Sequence, residues 1–187
     1  LKNMRHFIFL LLLIAVVSCK TTKKATSGNL QDAENAIAFN IAVKDSSGKS
    51  NYEVYTMNLD GSNAKNITNN KDVAWTYRAY KNTLYFISDR DTCHRCFFLY
   101  KTGIKGDIIK KVSNLQLEDS WMDTRNNGTE MIVTGRIGKE IRYQLFIINT
   151  LDGTFKQLTN DTASYHRDPA FSPDGKQVMF ISNRDEK

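Results

Sequence analysis

Short apolar segments recur along the chain between Ile37 and Ser182, and each is followed by a cluster of polar turn residues. Segments of this length, rich in aromatic and β-branched residues, are typical of β-strands. Asp-Gly and Asn-Gly pairs separate several of them, and these pairs favour tight hairpin turns because both residues tolerate a positive φ. The pattern therefore predicts an all-β chain made of antiparallel hairpins.

The apolar segments repeat with a nearly constant period. The arginines that follow one kind of segment are 46 and 48 residues apart, and the hydroxyl residues that end another kind are 45 and 46 apart: Arg90, Arg136 and Arg184, and Thr68, Ser113 and Thr159. Four short strands within a period of about 45 residues are typical of the blades of a β-propeller. We therefore predict blades of four antiparallel strands.

Each repeat unit predicts four strands in a fixed order. The first strands are predicted at 73–79, 120–124 and 169–172, the second at 84–88, 131–135 and 178–182, the third at 52–57, 97–101 and 144–148, and the fourth at 64–68, 108–113 and 155–159. Residues 37–43 predict the second strand of a preceding unit.

These strands amount to about three repeats, fewer than the four to eight blades of a closed propeller. We therefore expect residues 36–187 to form an incomplete propeller that is truncated at its C-terminal end. Open strand edges readily pair with other chains, so self-association of the incomplete propeller is the alternative.

The N-terminus predicts secretion. Residues 7–17 are all apolar, a length that suits a signal-peptide core and is too short to span a membrane. The next residues, Val16-Val17-Ser18-Cys19, resemble the lipobox of bacterial lipoproteins, including those of Bacteroidetes. That resemblance implies a signal peptide over 1–18, a lipidated Cys19, and a flexible tether over 19–35. Lys20, in place of a retaining Asp, favours the outer membrane, with the domain facing the periplasm.

The net positive charge of the chain comes from its N-terminal residues, so it changes this interpretation little. The chain carries a formal charge of +6 and a pI of about 9.2. From residue 25 onward, however, 21 lysines and arginines face 20 aspartates and glutamates. The predicted propeller is therefore close to neutral, and its charge gives no support for a nucleic-acid partner.

Two motifs of the repeat resemble a known family. The stretch from Asp168 to Lys176 (DPAFSPDGK), followed by Phe180-Ile-Ser-Asn-Arg184-Asp185, is similar to the repeat of TolB-type WD-like β-propellers. Asn58-Leu-Asp-Gly-Ser62 resembles the outer hairpin of the same repeat. The middle copy departs from the pattern, because Gly106-Asp107 reverses the expected Asp-Gly.

The family resemblance implies a function as well as a fold. TolB docks onto the peptidoglycan-associated lipoprotein, so the resemblance implies a non-enzymatic scaffold that binds an envelope protein, a peptidoglycan-associated partner or an envelope polymer. The alternative is the propeller portion of a prolyl-oligopeptidase-like peptidase whose catalytic domain lies beyond this sequence. The sequence itself contains no G-x-S-x-G elbow, phosphate-binding loop or H-E-x-x-H motif, and we predict no catalytic residue, cofactor or metal site.

Cys93-His94-Arg95-Cys96 lies outside the repeat pattern. An oxidising periplasm favours a local disulfide between Cys93 and Cys96. Free thiols, a metal site that uses His94 as well, and a thioredoxin-like redox pair remain the alternatives. The redox pair lacks the helix N-terminus that would lower a thiol pKa.

Residues that recur in every unit are more readily explained by structure than by binding. We expect Arg90, Arg136 and Arg184 to form hydrogen bonds that lock the blades. Polar and aromatic residues near the inner strands that do not recur are the better candidates for ligand contacts, with core packing as the alternative for the tryptophans and an exposed loop for His166 and Arg167. These candidates are Asp72, Trp75, Tyr77, Arg78, Glu118, Trp121, Asp123, His166 and Arg167.

Overall fold

The strands form four antiparallel sheets, which we call blades 1 to 4. The computed structural model describes residues 35–44, 48, 50–70, 74–139 and 142–185. Blade 1 contains β1 (Ile37–Lys44), β2 (Ser50–Met57) and β3 (Lys65–Asn66), and blade 2 contains β4 (Ala74–Tyr80), β5 (Thr83–Ser88), β6 (Phe98–Gly103) and β7 (Lys110–Lys111). Blade 3 contains β8 (Gln116–Leu117), β9 (Asp123–Arg125), β10 (Glu130–Arg136), β11 (Gln144–Asn149) and β12 (Phe155–Gln157), and blade 4 contains β13 (His166–Phe171) and β14 (Val178–Ser182).

This arrangement confirms the predicted all-β fold of antiparallel blades in an incomplete propeller. Blade 2 has the four predicted strands, and blade 3 has five because two short segments, β8 and β9, pair with β10. Within the described ranges, the one helical element is a 3₁₀ turn at Asn126–Gly128, and no helix is long and apolar enough to cross a membrane. The predicted signal peptide over 1–18, the lipid site at Cys19 and the tether to residue 34 lie outside the described residues.

The strand predictions differ from the structure mainly at the blade edges. The fourth strands are shorter than predicted, with two or three residues each in β3, β7 and β12. The first strand of blade 3 was predicted as one run at 120–124. In the structure only residues 123–124 of that run are strand, in β9, and β8 lies before it at Gln116–Leu117; both pair with β10. Residues 118–122, which include Trp121 and the buried Met122, leave the ladder between these two segments. The alternation of apolar positions did not reveal this.

The hydrophobic core lies between neighbouring blades. On β5, Tyr85 and Ile87 belong to the cluster shared with blade 3, whereas Leu84 and Phe86 belong to the cluster shared with blade 1. All four side chains are at most 5% exposed. Since successive residues of a strand point to opposite faces, the central strand of blade 2 is buried on both faces.

A glycine-to-backbone contact recurs between neighbouring blades. Gly106, in the turn between β6 and β7, has a φ of 71° and lies against the backbone of Ile67 in blade 1. Gly153, in the turn between β11 and β12, has a φ of 78° and lies against the carbonyl of Val112 in blade 2. The reversed Gly106-Asp107 pair of the middle repeat therefore still supplies the glycine that this contact needs.

The recurring arginines do not share one role. The Arg90 guanidinium, in a residue only 6% exposed, donates to the Thr68 carbonyl of blade 1 across 3.3 Å, as expected of a residue that locks two blades. The guanidinium of Arg136 lies over the Tyr143 ring instead, at 5.3 Å from its centroid. Arg184 is largely exposed and faces Asp185 at 3.8 Å.

The Cys93–Cys96 segment forms an exposed turn between β5 and β6. Its two cysteines are bonded in the structure, with Cα atoms 5.1 Å apart, and the Cys96 amide donates to the Cys93 carbonyl across 2.8 Å. The Asp89 carboxylate accepts the Arg95 amide across 2.7 Å and holds the turn against the end of β5. The formation of this disulfide in an oxidising compartment stays a prediction, and thiol labelling can test it.

We expect Gly153→Ala to destabilise the chain more than Gly61→Ala. Both glycines follow an aspartate in an outer turn and have a similar φ, 78° and 81°, but a Cβ at Gly61 meets nothing within 4 Å. The strained φ alone costs about 1 kcal/mol, and displacing the Val112 backbone adds about 1–3 kcal/mol. Urea unfolding of both variants measures the difference. Equal losses would show that the contact between the blades contributes nothing.

We expect the protein purified from an oxidising compartment to take up two additional alkyl groups, at Cys93 and Cys96, only after reduction. Closing so short a loop stabilises the fold by at most about 2 kcal/mol, so the Cys93→Ser/Cys96→Ser variant should fold with a modestly lower urea midpoint. Mass spectrometry after alkylation provides the measurement, and the double variant is its control. Labelling of both cysteines without a reductant would contradict the prediction.

Candidate functional site

The inner strands of blades 2, 3 and 4 each contain an irregularity near their first residues. In β4, the residues between Ala74 and Tyr77 include one more than the opposing stretch of β5. In β13, a similar register shift lies between Arg167 and Ala170. Such bulges turn side chains away from the regular ladder. The side chains at the bulges of the successive blades can therefore contribute to one surface.

The irregularity in blade 3 is much larger. Leu117 pairs with Gly135 and Asp123 pairs with Ile132, so six steps along the inner strand face three steps along β10. The intervening residues, Glu118 to Met122, form what we call the 118–122 bulge. It includes Glu118 and Trp121, two of the predicted ligand contacts. The bulge explains why β8 and β9 are separate strands.

The three bulges surround a cavity of about 340 Å³, which we call the tryptophan cavity. As far as the described residues show, its lining is aromatic and acidic without a lysine or arginine. It consists of Asn40, Trp75, Thr76, Tyr77, Asp119, Ser120, Trp121 and Asp168. The Trp121 side chain is 70% exposed and that of Trp75 is 37% exposed. Core packing, the alternative considered for both tryptophans, therefore does not describe Trp121.

Hydrogen bonds between blades connect residues that line this cavity. The Thr76 hydroxyl of blade 2 donates to the Asp119 carboxylate across 2.8 Å. In turn, the Asp168 carboxylate of blade 4 accepts the Ser120 hydroxyl at 3.0 Å and the Trp121 amide at 3.2 Å. Burial raises the pKa of Asp119, while the bond from Thr76 opposes that shift. The parts of the lining that come from blades 2, 3 and 4 are thus fixed to one another by polar contacts.

Arg78 and Asp123 come directly after the residues of the cavity along their strands: Arg78 follows Tyr77, and Asp123 follows the 118–122 bulge. The Arg78 guanidinium and the Asp123 carboxylate are 2.6 Å apart, and the other oxygen of Asp123 accepts the Phe171 amide at 3.0 Å. These contacts connect blades 2, 3 and 4, as the hydrogen bonds of the cavity also do. Both residues were predicted ligand contacts, but the structure pairs them with each other.

A second cavity, of about 180 Å³, lies beside the first, and we call it the arginine cavity. It is lined by Glu118, Arg142, Tyr143, Tyr165 and Arg167. Burial, together with a hydrogen bond to Glu118, raises the pKa of Tyr143 to about 12, so its hydroxyl remains protonated and can donate to that carboxylate. Glu118 and Arg167 were predicted from the sequence, and the structure brings them together here.

His166 is the predicted contact that fits a ligand role least. It is only 2% exposed, and its ring packs on Phe180 with the ring centroids 5.3 Å apart. Burial lowers its pKa, which favours the neutral imidazole. His166 is therefore a core residue of blade 4, where we had considered a ligand contact or an exposed loop. Asp72, another predicted contact, lies outside the described residues.

Sequence reasoning missed several of the residues that complete the two cavities. Asp119 was not selected, although it lies between Glu118 and Trp121, and Asp168 was not among the candidates either. Arg142, Tyr143 and Tyr165 follow no repeat signal and come together only through the fold. Among the described residues, no three histidine, cysteine, aspartate or glutamate side chains are grouped so that they could hold a metal ion.

Comparisons with known proteins point to one kind of propeller. No family model matches the chain. A TolB homolog from Chlorobium chlorochromatii (strain CaD3) is 24% identical over 135 residues, which are 71% of this chain and 29% of the relative. The chain thus spans less than a third of the length of this curated relative.

Solved structures agree with this result at the level of the fold. TolB from Acinetobacter baumannii matches with a TM-score of 0.60 and 16% identity, over 79% of this chain and 36% of that one. A TolB-type protein from Agrobacterium tumefaciens matches with a TM-score of 0.59 and 18% identity, over 78% and 50% of the two chains. The described blades therefore have the fold of a TolB-type β-propeller.

Proposed function

We propose that this chain is a lipid-anchored, non-catalytic binding module of the bacterial cell envelope, which holds a protein or an envelope polymer against its tryptophan cavity. The lipid anchor is Cys19, and the tether places the propeller in the periplasm, on the outer membrane. The TolB-type fold supports an envelope role by analogy, and the lipobox supports the anchor.

The exposure of Trp121 is the observation that carries the binding role. An indole that is 70% exposed gives up apolar burial that a core position would supply. Tryptophans are also among the residues that most often dominate binding energy at protein interfaces. Trp121 sits on a bulge that two hydrogen-bonded blades hold in place, so the ring is presented by a rigid support.

The surroundings of Trp121 suit recognition of a ligand with polar groups. Trp75 and Tyr77 line the same cavity together with two carboxylates and the Asn40 amide. Asn40 donates to the Trp75 carbonyl at 3.4 Å, and the Trp75 ring packs edge-on against Tyr52, so blade 1 also supports the cavity. Aromatic faces surrounded by hydrogen-bonding groups are typical of binding surfaces.

We expect Trp121→Ala to weaken binding to the envelope partner at least tenfold, which corresponds to about 1.4 kcal/mol. The protein would be incubated with purified peptidoglycan sacculi and, separately, with solubilised envelope proteins, and the bound fraction would be measured. Leu151→Ala is the matched control, because Leu151 is a 75% exposed apolar residue on an outer turn. Undiminished binding by Trp121→Ala, or an equal loss in both variants, would contradict the proposed site.

We expect Cys19→Ala to move the protein from the membrane fraction to the soluble periplasmic fraction and to abolish labelling with radioactive palmitate. The cause is the loss of the acyl chains, each buried CH₂ of which contributes about 0.8 kcal/mol to membrane binding. Cys93→Ser/Cys96→Ser is the control and should remain in the membrane fraction. Membrane association that survives Cys19→Ala would show that a different anchor is used.

A further inference from the structure

The two cavities are separated by a narrow ridge of four residues, Glu118-Asp119 and Arg167-Asp168. Glu118 and Arg167 line the arginine cavity, whereas their chain neighbours Asp119 and Asp168 line the tryptophan cavity. Consecutive Cα atoms are about 3.8 Å apart, so a short ligand segment that crosses the ridge can reach both cavities. An Arg167–Asp168 ion pair of 3.4 Å spans the ridge itself.

The charges on the two sides of the ridge are opposite. Among the residues that the structure describes, the lining of the tryptophan cavity includes Asp119 and Asp168 and no basic side chain. Asp168 already faces Arg167 at 3.4 Å, so Asp119 supplies the charge that a ligand cation would meet. The exposed indole faces of the cavity can attract a cation, because aromatic rings carry negative charge on their faces. The cavity therefore suits an ammonium or guanidinium group.

The arginine cavity has the opposite preference. Among the described residues of its lining, Arg142 and Arg167 are basic and Glu118 is acidic. Glu118 is engaged with the Tyr143 hydroxyl and Arg167 with Asp168, so Arg142 supplies the charge that a ligand carboxylate would meet. Arginine guanidinium groups match the geometry of a carboxylate, with two parallel hydrogen bonds. The cavity therefore suits a carboxylate, and its tyrosines offer further contact area.

We infer that the two cavities together bind one extended peptide segment of a protein partner, with a basic side chain in the tryptophan cavity and an acidic side chain, two residues away on the same face, in the arginine cavity. This inference rests on the proposed binding function and specifies its ligand. An acidic polysaccharide fits less well, because its carboxylates would lie against Asp119 and Asp168 as well as against the arginines.

Four hexapeptides with blocked ends provide the test. They differ at two central positions separated by one alanine, which hold Arg and Glu, Arg and Gln, Gln and Glu, or Gln and Gln. Residues two positions apart in an extended segment present their side chains to the same face. Binding to the full chain is followed by tryptophan fluorescence, since Trp75 and Trp121 line the site. We expect the peptide with Arg and Glu to bind at least tenfold more tightly than either singly neutralised peptide.

Two variants assign the charges to their cavities. Asp119→Asn should abolish the preference for Arg over Gln and retain the preference for Glu, and Arg142→Gln should do the reverse. The matched controls are Asp91→Asn and Lys156→Gln, exposed residues that line neither cavity, and they should leave all four affinities unchanged. Asparagine tolerates the positive φ of 57° at residue 91.

The results separate this inference from the function on which it rests. Equal affinities for the four peptides, or no binding up to about 1 mM, would overturn the dipolar peptide ligand. If Trp121→Ala still releases the envelope partner in that case, the binding function stands with a different ligand. Binding to sacculi without binding of any peptide would point to a polymer and would also overturn the inference.

Discussion

Burial of both faces of a central strand is the constraint on which the rest of this structure depends. Leu84 and Phe86 face one neighbouring blade, while Tyr85 and Ile87 face the other. A sheet of three or four short strands cannot cover two apolar faces by itself, so each blade gains its stability mainly from the blades beside it. The outer turns add backbone contacts to this packing, through Gly106 and Gly153.

The candidate site is a product of the same constraint. Blades packed face to face bring their inner strands side by side, and the bulges of these strands then meet. The hydrogen bonds from Thr76 to Asp119 and from Ser120 to Asp168 both cross between blades. A ligand in the tryptophan cavity would therefore touch several blades at once, and its binding would stabilise their arrangement by linkage. Substitutions that loosen the packing of the blades should weaken binding without touching the ligand.

The parts of this fold that could be predicted from the sequence are those that follow local rules. Asp60-Gly61 and Asp152-Gly153 mark hairpins because the aspartate oxygen accepts an amide two residues later, at 3.0 Å and 2.9 Å. The repeated spacing then gives the blades. The division of one strand into β8 and β9 escaped prediction, because nothing local indicates that Glu118 to Met122 leave the ladder.

The site was only partly predictable, for a physical reason. Glu118 and Arg167 could be selected because they do not recur between repeats, and Trp75 and Trp121 because they are large aromatic residues near the inner strands. Neither criterion can distinguish an exposed residue from a buried one. The first criterion selected His166, which the structure buries against Phe180. It also selected Arg78 and Asp123, which neutralise each other across two blades. The pairing of residues from different blades depends on tertiary packing, which no single repeat encodes.

The glycine at the outer turn has a consequence for how such a protein can lengthen. A blade that arises by duplication of a repeat can dock on its predecessor only if that turn leaves room for the predecessor's backbone, as Gly153 does for Val112. A copy in which the glycine has been replaced would fold as a sheet but would fit poorly against its neighbour. Each new repeat must therefore keep this glycine if it is to pack against the blade before it.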